Sequence, residues 1–145
     1  MTHSIRVLIA DDNARSRNGL RALLGTVRLT PLPVTGTDDR DKYLIEIEII
    51  GEAANGEEAV SKVAKYRPDV VIIDVRMPEM NGLEATRYIK NRWPEVKIIV
   101  LTLYAAYRAE AMAAGANDFL VKGCPNEKLL AAILNNKEPE SNPEF

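Results

Sequence analysis

The stretch Val70-Val71-Ile72-Ile73-Asp74-Val75-Arg76-Met77-Pro78-Glu79-Met80-Asn81-Gly82 decides how this chain is read. Its first four residues are β-branched and show no polar alternation, the pattern of a strand buried on both faces. Asp74 closes the run, and Pro78, Asn81 and Gly82 mark a turn. Gly82 to Arg92 then reads as a helix, with Leu83, Ala85, Tyr88 and Ile89 on its inner face.

The same alternation runs outward in both directions. Upstream, Ile5 to Ala10 and Ile45 to Ala53 read as strands, and Asn13 to Gly25 and Gly56 to Tyr66 as helices. Downstream, Val96 to Leu101 and Asn117 to Val121 read as strands. Ala105 to Ala114, closed by Gly115, and Pro125 to Asn135 read as helices. Strict alternation of β and α predicts an α/β fold: a doubly wound parallel sheet of five strands with five helices on its two faces. In such sheets ligands bind beyond the carboxyl ends of the strands.

Two segments break the rhythm. A long insertion, about residues 27–43, separates the first helix from the second strand and carries Pro31, Pro33, Gly36 and the polar run Thr37 to Lys42. It enters the second strand at the amino end of the sheet, opposite Asp74, and is expected to be mobile decoration, with a dimer or partner contact as the alternative. Leu44 to Ile49 alternates, as an extended edge strand with one wet face does, and its glutamates would discourage edge pairing. The tail, residues 135–145, is nearly free of apolar side chains and reads as disordered or as a truncated linker. The folded domain is therefore expected over residues 1–134.

The bulk numbers fit one ordinary domain. Of 145 residues, 46% are hydrophobic, and 19 basic against 21 acidic side chains leave a net charge of −2, with no basic stripe that would suit nucleic acid. Cys124 is the single cysteine, and no apolar run approaches the ~18 residues of a membrane span. The N-terminus lacks the features of a signal peptide. A cytoplasmic setting without a membrane partner is expected.

A parallel sheet would bring four polar features to one edge: Asp11-Asp12, Asp74, Thr102 and Lys122. Each alone has an ordinary explanation, as a helix cap, a turn, a strand-end hydroxyl or a surface lysine. Together they need three acids, a hydroxyl and an ammonium to share a rim by accident. Clustered carboxylates repel, and a divalent cation relieves this; oxygen ligands with open water positions suit Mg²⁺. A carboxylate in such a site can attack phosphorus, while lysine and threonine hold phosphate oxygens.

Asp11-Asp12, the Asp74-x-x-Met77-Pro78-x-Met80-x-Gly82 stretch, Leu101-Thr102 and Lys122-Gly123 resemble the signature of response-regulator receiver domains over about residues 4–134. The resemblance implies a flavodoxin-like strand order, 2-1-3-4-5. It implies Asp74 as phosphoacceptor, and Asp11, Asp12, Asp74 and the Arg76 backbone carbonyl around Mg²⁺ or Mn²⁺. It implies that Thr102 and Lys122 hold the phosphoryl group, and that Thr102 and an inward-rotating Phe119 carry the switch. Arg76 and Tyr104, both bulky, would border the hydrolytic water and lengthen the acyl phosphate's life. A sensor histidine kinase would be the donor, with a possible homodimer on phosphorylation.

Lys122-Gly123, where many receivers have Lys-Pro, and the following Cys124-Pro125-Asn126-Glu127 resemble the NarL/FixJ-like branch. There a DNA-binding domain follows; it is absent from this chain, so a transcriptional output would lie outside it. The alternative is a stand-alone receiver acting on a partner protein. Three other readings fare worse. A dehalogenase-like phosphatase needs an acid where Arg76 stands, and a flavin-binding module would meet Asp11-Asp12 at its phosphate loop. A degenerate scaffold would not keep the full acid, threonine and lysine set.

Overall fold

The computed structural model describes residues 2–29 and 44–135. Most of the insertion, residues 30–43, and the tail from residue 136 lie outside the described residues, and so do the expectations placed on them. The elements are β1 (Thr2–Ala10), α1 (Ala14–Leu24), β2 (Arg28–Leu29), β3 (Leu44–Ala53), α2 (Gly56–Tyr66) and β4 (Val70–Ile73). They continue with α3 (Gly82–Arg92), β5 (Lys97–Thr102), α4 (Arg108–Ala113), β6 (Asp118–Val121) and α5 (Asn126–Leu134).

Five strands are parallel, in the order β3-β1-β4-β5-β6, which is the expected 2-1-3-4-5. The expected free edge is corrected. A sixth strand, β2, lies antiparallel on β3, pairing Arg28 with Glu46 and Leu29 with Ile45. The first residues of the insertion turn back along the edge and cover it at two positions, and an Arg28–Glu46 ion pair at 3.6 Å accompanies them. Two residues are too few to show any periodicity in sequence.

Strand side chains alternate between two cores. Val71 and Ile73 of β4 join Val63, Leu83, Ile89 and Phe119 under α2, α3 and α4. Val70 and Ile72 join Leu24, Leu129 and Ile133 under α1 and α5. Asparagines cap three helices at their N-termini: Asn13 accepts from Arg15 and Ser16, Asn55 from Glu58, and Asn81 from Leu83 and Glu84.

Two helix expectations are corrected. Tyr88 is 43% exposed. The inner stripe of α3 runs through Leu83, Ala85, Thr86 and Ile89, with the buried Thr86 hydroxyl donating to the Gly82 carbonyl at 2.7 Å. Tyr88 falls well off that stripe at 100° per residue. The helix expected from Ala105 opens as a 3₁₀ turn, Ala105–Tyr107, and only Arg108–Ala113 is α-helical. Gly115 closes the segment at φ +105°, a conformation that suits glycine.

Candidate functional site

The strand ends meet through backbone bonds. The Asp11 N–H donates to Ala53 at 2.9 Å, the Asp74 N–H to Ala10 at 2.9 Å, and the Lys122 N–H to Thr102 at 2.8 Å. Register thus delivers Asp11, Asp74, Thr102 and Lys122 to one rim. Carboxylate oxygens of Asp11, Asp12 and Asp74 all lie within 4.8 Å of one another. Asp11 and Asp74 are 3% and 8% exposed, whereas Asp12 is open to solvent.

Lys122 ties the buried pair together. Its ammonium donates to Asp11 Oδ2 at 2.7 Å and to Asp74 Oδ2 at 2.8 Å. The other oxygen of each carboxylate accepts a backbone N–H: Asn13 to Asp11 Oδ1 at 2.9 Å, and Val75 to Asp74 Oδ1 at 2.7 Å. Burial works to lower the Lys122 pKa, but the bonds to Asp11 and Asp74 outweigh it and hold the ammonium above its ordinary value.

Three carboxylates and one ammonium leave a charge of −2 at the rim. All-oxygen donors with that charge, one of them solvent-exposed, fit a hard divalent cation. Asp12 also lines a cleft of about 550 Å³ with Arg76, Met77, Tyr107 and Glu110. Arg76, whose carbonyl is the expected fourth ligand, therefore stands in the same cleft as Asp12.

The loop after Asp74 is closely packed. A Cβ on Gly82 would lie 1.9 Å from the Asp74 carbonyl oxygen, and the Gly82 N–H donates to the Val75 carbonyl at 2.8 Å. Only glycine lets the start of α3 approach the Asp74 backbone so closely. Thr102 is fully buried, and its hydroxyl has no hydrogen-bond partner among the described residues. Tyr104 is 43% exposed; the Arg76 guanidinium stacks 4.8 Å from its ring centre, and Tyr107 meets it edge-on. Phe119 already faces inward, 1% exposed, with the Arg108 guanidinium 5.0 Å from its ring centre.

Every expected site residue thus falls on or beside one rim, except Phe119, which lies in the core. Sequence reading missed Ser16, whose hydroxyl is 3.5 Å from the Lys122 ammonium. It also missed Arg17, which donates to the Asp11 carbonyl at 2.6 Å. Both sit in the first turn and a half of α1, where polar residues look like ordinary surface.

Residues 7–134 match the family model described as the response regulator receiver domain. The chain is 34% identical over 132 residues to the oxygen regulatory protein NreC of Staphylococcus aureus, covering 89% of this chain and 53% of that protein. It is 32% identical over 133 residues to the transcriptional regulatory protein DegU of Brevibacillus brevis, covering 90% and 49%. The chain spans about half the length of these curated relatives. Among solved structures, it superposes on a LuxR-family two-component response regulator from Aurantimonas with a TM-score of 0.71 at 27% identity, covering 88% of this chain and 81% of that one. The response regulator domain of Thermotoga maritima CheB gives 0.72 at 28% identity, covering 90% and 94%. This chain belongs to the response-regulator receiver domains of two-component signalling.

Proposed function

We propose that this domain, residues 1–134, takes a phosphoryl group onto Asp74 from a sensor histidine kinase and changes shape in response. The observation that carries the reading is the bridge from Lys122 to both Asp11 and Asp74, with Asp12 alongside and open to solvent. An Asp74 oxygen attacks phosphorus, a new O–P bond forms, and the bond to the donor breaks with its electron pair leaving on the donor atom. Asp11, Asp12, Asp74 and the Arg76 carbonyl would hold Mg²⁺ or Mn²⁺, which when bound offsets charge on the transferring oxygens. Lys122 pairs with one phosphoryl oxygen, and the otherwise unsatisfied Thr102 hydroxyl donates to another.

Thr102 and Phe119 carry the switch in this reading. Because Phe119 is already inward, phosphorylation acts by holding that orientation, biasing an existing equilibrium. The names of the curated relatives support a transcriptional output. In this reading the output acts through a domain outside this chain, and a homodimer forms on phosphorylation. The protein acts as a regulator, and the chemistry it performs is on itself.

Intact mass after incubation with Mg²⁺ and acetyl phosphate tests the proposal. A gain of one phosphoryl group is expected in wild type and not in Asp74→Asn. No gain in wild type, or an equal gain in Asp74→Asn, removes Asp74 as the acceptor.

A further inference from the structure

An arginine reaches into the acidic rim from the side. Arg17 stands one turn inside α1, and its Nη1 donates back to the Asp11 carbonyl oxygen at 2.6 Å. Its Nε donates to Glu52 Oε1 at 3.2 Å, and Arg21 pairs with Glu52 Oε2 at 2.9 Å. Glu52 is next to last in β3 and stands opposite Ile9 of β1. Arg17 is therefore braced against the sheet on the side from which the acidic loop emerges, with its side chain 20% exposed.

The bonds around Asp11 are complete. Its N–H is taken by Ala53, its carbonyl by Arg17, Oδ1 by the Asn13 N–H and Oδ2 by Lys122. The Asp11 carbonyl belongs to the planar peptide that leads into Asp12. Fixing that carbonyl fixes the plane from which the exposed Asp12 carboxylate projects. We propose that Arg17, braced by Glu52, is a positioning residue that presets Asp12 and so raises the affinity of the rim for a divalent cation. The inference rests on the cation site proposed above.

Two effects of Arg17 oppose each other. Its positive charge repels a cation, while its hydrogen bond removes loop freedom that binding would otherwise have to freeze. Glu52, which Arg21 shares, offsets part of the charge, and the carbonyl bond acts on the loop directly, so positioning dominates. The signs then separate: charge alone makes Arg17→Met bind metal more tightly, and positioning makes it bind more weakly.

Mn²⁺ titration of the full chain, read from the electron paramagnetic resonance of free Mn²⁺, measures this directly. Arg17→Met is expected to bind about tenfold more weakly, the size typical of groups that orient metal ligands. Arg17→Lys, which can reach the carbonyl but cannot also brace on Glu52, falls between. Glu52→Gln weakens binding too, and adding it to Arg17→Met brings no further loss, because one brace has been cut twice. The Mg²⁺ concentration for half-maximal phosphorylation by acetyl phosphate rises by the same factor, while the rate at saturating Mg²⁺ stays within about twofold of wild type. Unchanged or tighter Mn²⁺ binding in variants whose thermal melts show them folded overturns the proposal. No Mn²⁺ binding by wild type removes the cation site itself, and this proposal with it.

Discussion

Lys122 reaches Asp74 at 2.8 Å although their strands are not neighbours: β5 stands between β4 and β6. One ammonium spans the carboxyl end of the sheet and continues to Asp11, just past the end of β1, at 2.7 Å. Because both acids are nearly buried, their mutual repulsion is countered from within the protein before any cation arrives.

Removing that ammonium exposes the repulsion. Lys122→Met is expected to destabilise the metal-free protein by about 2 kcal/mol, below the range for fully buried pairs because Lys122 keeps some solvent contact. Urea denaturation in EDTA measures it, and added Mg²⁺ should narrow the gap. The sign with pH follows from the raised Lys122 pKa: the contribution is fully present below the ordinary value of 10.5 and fades as pH climbs through the higher folded-state value. A wild-type advantage that instead grows above pH 10.5 contradicts the assignment.

Gly82 and Gly56 make a matched comparison. A Cβ at Gly56 would sit 2.4 Å from the Met80 carbonyl oxygen, and one at Gly82 would sit 1.9 Å from that of Asp74. Alanine at either position should cost about 3 kcal/mol of stability through forced backbone movement. Only Gly82→Ala displaces the acceptor's own backbone, so its phosphorylation rate should fall further than that of Gly56→Ala at equal stability. Equal rates would show that Gly82 serves packing alone.

The lone buried hydroxyl of Thr102 makes a prediction of opposite sign. Thr102→Val removes a polar group that gains nothing in the resting form and should stabilise it by about 1 kcal/mol. The same change removes a donor to the phosphoryl group, so the extra stability gained on phosphorylation should shrink. Chemical denaturation midpoints with and without acetyl phosphate give both quantities. A destabilised resting form would mean that the hydroxyl is already satisfied in solution.

The Arg76 guanidinium stacks on the Tyr104 ring, and Arg76 is two residues past the proposed acceptor. In this position they should hinder water, so wild type should keep its phosphoryl group well beyond seconds. Tyr104→Ala frees the guanidinium and should shorten the lifetime about threefold, the scale of a partly exposed cation–π contact. Loss of label within seconds in wild type, with no change in Tyr104→Ala, would end this reading.

Most of the sheet was legible because its central strands are apolar runs, such as Val70 to Ile73, and the edge strand alternates, each closed by a turn or a cap. The rim was legible for a related reason: in a parallel sheet every strand ends on the same side, so Asp11, Asp74, Thr102 and Lys122 had to converge. What sequence could not supply was partnership. Arg17 and Glu52 look like surface charges until β3 is laid beside β1 and brings Glu52 within reach of α1. Tyr88 misled because its aromatic ring suggested core, yet its angle on α3 points it to water. The broken start of the segment at Ala105 was hidden by alanine, whose helix propensity says nothing about where the first turn tightens.

The pairing of β2 with β3 has a practical side. Leu29 and Ile45 are opposite one another, so the chain leaves the sheet and re-enters it at neighbouring points. What lies between can grow or shrink at little entropic expense, since closure depends only weakly on length. An epitope or a small reporter spliced between residues 30 and 43 would hang from a clasp at the far end of the molecule from Asp74, a ready handle for watching the domain without disturbing its chemistry.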